Sequence, residues 1–180
     1  MRKKEFEHLL RAAGGVVRDQ HFIVFGSQAI WGLVPKVPKE LTMSIEADIY
    51  PRMHPEAVRL IEDTMGRRTR FFRTYGYYAD SVSPELATFP NEWEKRLVPF
   101  RTKNTGGVTG WCVEIHDLTI SKLAAGRDKD LAYIRALLKH KLVKRAILEQ
   151  RLADTEIPPK HRAELLETLH GLMRPKTKRK

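Results

Sequence analysis

The sequence predicts an α+β fold: a mixed β-sheet flanked by helices, followed by a helical C-terminal region. Three observations carry that prediction. Short apolar runs of strand length recur through the first 115 residues, as in "HFIVF", "LTMSIEADIYP" and "WCVEI". Stretches with apolar residues at helical spacing separate them. Beyond residue 116 the strand-like runs stop and only helical spacing remains. The expected organisation is an α/β core over 1–115, a helical region over 116–174 and a basic disordered tail over 175–180.

The elements follow in order. Phe6, Leu9, Leu10 and Ala13 recur at helical spacing, so 3–13 reads as a helix that Gly14-Gly15 stops. His21 to Phe25 reads as a buried strand. Gly26 to Gly32 then turns into a helix, and Pro35 and Pro38 mark a loop. In "LTMSIEADIYP" strict alternation predicts a strand, with Thr42, Ser44, Glu46 and Asp48 on one face and Leu41, Met43, Ile45, Ala47 and Ile49 on the other. A helix follows over 54–65, with Gly66 near its end. The Phe-, Tyr- and Thr-rich segment 69–82 reads as one or two strands broken at Gly76. Several prolines make 83–107 a loop with short elements. Trp111 to Ile115 reads as the last strand, and helices are expected over 117–125, with Asp117 as N-cap, 128–139, 141–153 and 159–173.

Composition narrows the function classes. With 42% hydrophobic residues in 180, the chain can build a core. The single Cys112 excludes an intramolecular disulfide and any cysteine-based metal cluster, and it reads as a core residue. No apolar run is long enough for a membrane-spanning helix. The basic start "MRKKEFEHLL" has no long apolar stretch, so it reads as a cytoplasmic N-terminus, not a signal peptide. The net charge of +11 favours a phosphate-bearing partner, with nucleic acid the commonest large polyanion in a cell. Tyr75, Tyr77 and Tyr78 offer rings that could stack on a base. The seven histidines are scattered and read as surface or helix-end residues.

Two short motifs carry chemistry. Gly26-Ser27 ends a strand and opens a helix, where free backbone N–H groups favour an anion; the glycine lets a phosphate come close, and the Ser27 hydroxyl adds a donor. Alone, the pair also fits an ordinary helix cap. Glu46 and Asp48 stand on one strand face, roughly 7 Å apart. Two such carboxylates repel unless a cation lies between them, and Mg²⁺ suits carboxylate and phosphate oxygens. Alone, they also fit a solvated polar face.

In that order, "GSQAIWG" and then "EAD", the two motifs resemble the signature of the DNA polymerase beta-like nucleotidyltransferase superfamily. The segment "HDLTISKLAAGRDKDL" resembles a helix motif of AbiEii-type nucleotidyltransferase toxins and their relatives, and "YYADSVSPELATFPNEWEKRLVPF" is similar to one branch of those relatives. The resemblance spans about residues 20–140. It implies a nucleotidyltransferase-like sheet, a triphosphate held at Gly26 and Ser27, and two Mg²⁺ ions, with Mn²⁺ as an alternative, held by Glu46 and Asp48. Lys122 matches a basic residue that reaches the triphosphate, Asp130 an acid near the site, and Arg127 a supporting residue. A third carboxylate is expected from a later strand: Asp80 is the first choice and Glu114 the second. The implied activity moves a nucleoside monophosphate from a nucleoside triphosphate to a hydroxyl acceptor. RNA, tRNA included, is the expected acceptor, with a protein hydroxyl as the alternative. The resemblance further suggests a toxin of a toxin–antitoxin or phage-defence pair, with an antitoxin protein as partner. The family usually has aspartate where Glu46 stands, which leaves open a degenerate module that binds nucleic acid or protein without turnover.

Overall fold

A computed structural model describes residues 1–174; the expected basic tail lies outside the described residues. The chain divides into two compact units: Met1–Ala87 with Trp93–Glu114, and Ile115 onward with Thr88–Glu92.

The first unit is built on a five-stranded mixed sheet in the order β3-β2-β1-β5-β4, with β1 at His21–Phe25, β2 at Glu46–Pro51, β3 at Tyr78–Asp80, β4 at Val98–Phe100 and β5 at Thr109–Cys112. β1 is antiparallel to β2 and parallel to β5, β2 is parallel to β3, and β4 is antiparallel to β5. Helix α1, Lys3–Val17, buries Phe6, Leu9, Leu10, Ala13 and Val17 at helical spacing. The Phe6 ring lies 5.3 Å from that of Phe100. Gly110 brings the helix down onto the sheet: a Cβ there would stand 3.0 Å from Val24 and 3.1 Å from Leu10.

Four expectations need correction here. Gly14-Gly15 does not stop α1, which runs on to Val17 and ends at Arg18 in the left-handed region. Gly14 is there for proximity: a Cβ would meet Val108 Cγ2 at 2.5 Å. The segment 69–82 opens as a helix, not a strand. Thr69 caps α4, Arg70–Tyr75, by accepting the Phe72 N–H, and Gly76 closes it at φ +76°, so the cap residues outweigh the β-propensity of the aromatics. β2 starts only at Glu46, because the Ser44 hydroxyl takes the Glu46 N–H and no ladder forms ahead of it; Met43 and Ile45 are exposed. The last strand stops at Cys112, and Ile115 already opens a helix. Two further elements complete the unit: α2, Ile30–Leu33, and α3, Val58–Met65.

The second unit packs α5, Ile115–Ala125, α6, Asp128–Lys139, α7, Arg145–Ala153, and α8, Pro159–Met173, around Leu118, Leu123, Ile134, Leu137, Leu148, Leu152 and Leu169. Asp117 does not cap α5. It is wholly buried in the first turn and lies 3.0 Å from Arg151 Nε, because the helix begins two residues earlier than its sequence suggests. His116 is likewise no surface residue: its Nε2 accepts the N–H of Lys144, the residue ahead of α7. No helix among the described residues is long and apolar enough to cross a membrane.

Candidate active site

The antiparallel register of β1 and β2 sets Asp48 opposite Phe25, the last residue of β1. The chain then turns at Gly26, whose φ of 75° and ψ of −168° fall in a region that is essentially glycine-only. A Cβ at that position would lie 1.6 Å from Asp48 Oδ2. The expected use of Gly26 is thus sharpened: the face left bare by the missing side chain is where the Asp48 carboxylate rests. The turn continues into a three-residue 3-10 segment, Ser27–Ala29, and then the one-turn helix α2. The helix expected over 26–32 is thus split into two short pieces, and a helix this short supplies little dipole to an anion. Ser27 stands at the mouth of the turn, half-buried.

The remaining carboxylates come from alternation and register. Glu46 and Asp48 share one face of β2, while Ala47 and Ile49 are fully buried on the other. Parallel pairing sets Asp80 beside Asp48 and Tyr78 beside Glu46, so all four side chains project from the same side of the sheet. The Tyr78 phenol donates to Glu46 Oε2 at 2.6 Å. Burial, and then that hydrogen bond to a carboxylate, push the Tyr78 phenol up to about 12, which keeps it a donor. Glu114, the second choice for the third carboxylate, lies past the end of β5 and is half-buried.

Two residues that hold this face in place escape the motif reading. Gln28 is buried and donates to the Ser44 carbonyl at 3.1 Å while accepting from Trp31 Nε1, tying the turn after β1 to the entry of β2. Tyr78 is the other; its signal in the sequence is that Tyr-x-Asp on β3 repeats the i, i+2 spacing of Glu-x-Asp on β2. Cys112 takes no part: wholly buried, its thiol is pushed up to about 12 by desolvation, and its Sγ lies against Gly32.

Lys122, Arg127 and Asp130 come together in the second unit. Gly126, at φ +64°, breaks α5 from α6 and folds the chain so that Lys122 Nζ reaches Asp130 Oδ1 at 3.0 Å. Arg127 Nε lies 2.5 Å from Asp130 Oδ2, and Lys122 also stands over the Tyr133 ring at 4.7 Å. Burial opposes ionisation of Asp130, yet the Arg127 hydrogen bond and the Lys122 charge outweigh it and hold the carboxyl below the usual carboxylate range.

Among the described residues no group of three or more His, Cys, Asp or Glu side chains is arranged to hold a metal ion by itself. Two carboxylates in register on adjacent strands, Asp48 and Asp80, with Glu46 on the same face, do fit a cation that takes its other oxygens from substrate phosphate and water, as Mg²⁺ commonly does.

A family model described as "Nucleotidyltransferase of unknown function (DUF6036)" matches residues 5–170. No curated protein and no solved structure matches the chain.

Proposed function

We propose, from the premise that the chain belongs to this nucleotidyltransferase family, that the sheet face bearing Glu46, Asp48 and Asp80 transfers a nucleoside monophosphate from a nucleoside triphosphate to a hydroxyl acceptor. The observation that supports this most is the Asp48 carboxylate resting on Gly26 with Asp80 in register beside it. Ser27 and the backbone of its turn offer N–H and O–H donors to the phosphates within reach of those carboxylates. Asp48 and Asp80 would hold Mg²⁺ or Mn²⁺, with Glu46 adding a third carboxylate. Such an ion neutralises charge on the transferring phosphoryl group. The acceptor's O–P bond forms as the bond to pyrophosphate breaks, and the hydroxyl proton passes to a carboxylate, Asp80 or Glu114. The basic balance of the chain favours RNA as acceptor, and the same activity would serve a growth-arresting toxin held in check by an antitoxin protein.

A screen of labelled triphosphates against RNA and protein fractions, with and without Mg²⁺, tests this directly. The expected result is metal-dependent label in RNA. Label in protein alone would overturn the acceptor, and absence of metal-dependent triphosphate binding by folded protein would overturn the enzyme. The second reading, a binding module without turnover, draws on the Tyr78–Glu46 hydrogen bond, which engages one oxygen of the only glutamate in the set. Glu46→Asp separates the two readings: a gain in transfer points to a working site with a tolerated variant residue.

A further inference from the structure

Helix α4 and the turn before it carry an unusual charge pattern. From Gly66 to Ala79 there are four arginines, Arg67, Arg68, Arg70 and Arg73, and no acidic residue. All four are exposed. Three exposed arginines elsewhere do meet an acid three or four residues on: Arg2 meets Glu5, Arg59 meets Asp63 and Arg145 meets Glu149. Three and four residues beyond each α4-segment arginine stand only Arg, Phe, Thr, Gly or Tyr. Four arginines within seven residues, with no acid among them, make a concentrated positive patch.

The aromatic residues of α4 are held in place. The Phe71 ring stacks on His8 at 5.7 Å, and Phe72 meets Tyr78 edge-on at 5.4 Å. Tyr75 is tilted against both Phe71, at 4.8 Å, and His8, at 4.6 Å, yet keeps 48% of its surface in solvent. The result is a held, half-exposed aromatic ring two residues beyond Arg73. The helix also borders the acid face: Phe72 packs on Tyr78, the phenol that donates to Glu46.

We propose that Arg67, Arg68, Arg70, Arg73 and Tyr75 form a docking surface for a single-stranded nucleic acid, whose end would thereby be delivered to Glu46, Asp48 and Asp80. The arginines take the phosphates and Tyr75 takes a base, the combination by which single strands are bound without regard to sequence. This rests on the transfer reading above and specifies its acceptor as a strand, not a folded protein.

The experiment measures binding of fluorescent single-stranded oligonucleotides of about 12 nucleotides, within the usual site size for a single-strand-binding surface, as RNA and as DNA. Triphosphate and divalent cation are left out, so the result does not depend on catalysis. Arg70→Gln with Arg73→Gln is expected to weaken binding at least tenfold and to flatten the salt dependence of log K by about 0.7 per arginine removed. Tyr75→Ala is expected to weaken it about tenfold and Tyr75→Phe to leave it unchanged. Three results overturn the surface: an equal loss from Arg135→Gln with Lys160→Gln, which tests net charge alone; no effect of Tyr75→Ala; or equal, Tyr75-independent binding to anionic phospholipid vesicles or polyglutamate. A chain that binds the strand through these residues but transfers nothing keeps the surface and loses the catalytic reading. Transfer to RNA at wild-type kcat/KM by the double arginine variant does the reverse.

Discussion

In the second unit each of two buried carboxylates lies against a cation from its own helices: Asp117 is 3.0 Å from Arg151, and Asp130 is 3.0 Å from Lys122 and 2.5 Å from Arg127. In the first unit Glu46, Asp48 and Asp80 are gathered on one sheet face by alternation and register; a phenol donates to one of them and another rests on the backbone of Gly26. The first arrangement is closed on itself, and removing a member harms the fold. The second gathers like charges on one face, where the proposed role is to take a cation with substrate phosphate. Mutation should therefore separate them: function without stability in one unit, stability in the other.

The largest effect expected is on that first face. Asp48→Ala should bring nucleotidyl transfer below detection in the labelling assay. Its thermal midpoint, measured without divalent cation, should stay equal or rise, because one of several neighbouring like charges is gone. Next comes Asp130→Asn, which leaves Lys122 largely buried beside a neutral partner and should cost about 3 kcal/mol in denaturant unfolding. The pH dependence has a definite sign. The Asp130 carboxyl is lowered in the folded state, so its contribution is present above the ordinary carboxylate range and is lost as pH falls through the lowered value. Asp130→Asn should flatten the acid limb of a stability-versus-pH curve. Gly14→Ala should cost about 1–3 kcal/mol through overpacking against Val108, with kcat/KM unchanged. The smallest effect is Tyr78→Phe, about 1 kcal/mol from one hydrogen bond. A Tyr78→Phe variant that lost transfer as completely as Asp48→Ala would erase the distinction between ligand and support.

Local patterns in the sequence carry much of this. β1 and α6 follow from apolar spacing within a few residues, and the shared face of Glu46 and Asp48 from strand alternation. Several of the misreadings share a cause, a long-range partner that a local rule cannot see. Gly14-Gly15 looks like a helix stop because glycine often ends helices; here Val108, far along the chain, requires the missing Cβ. Asp117 looks like a cap because nothing nearby announces Arg151. That Asp80 lands beside Asp48 depends on the pairing of two parallel strands whose partners are 32 residues apart, and parallel register leaves no local mark. Helix α4 is different: its cap residues Thr69 and Gly76 are local signals, and they outweigh the β-propensity of the aromatics between them.

The five residues Thr88–Glu92 belong with the second unit, where Pro90 bridges to Thr155 and the Asn91 N–H donates to the Asp154 carbonyl. The chain therefore leaves the first unit, lends a short segment to the second, and returns before β4 is made. During synthesis that segment must wait for more than sixty further residues before its partners emerge, so the second unit cannot finish folding as an independent C-terminal piece. A cut after Glu114 would strand the segment on the wrong fragment. Fragments 1–114 and 115–174 should reassociate when mixed, and limited proteolysis within 88–92 should loosen the helices of the second unit as well as the loop.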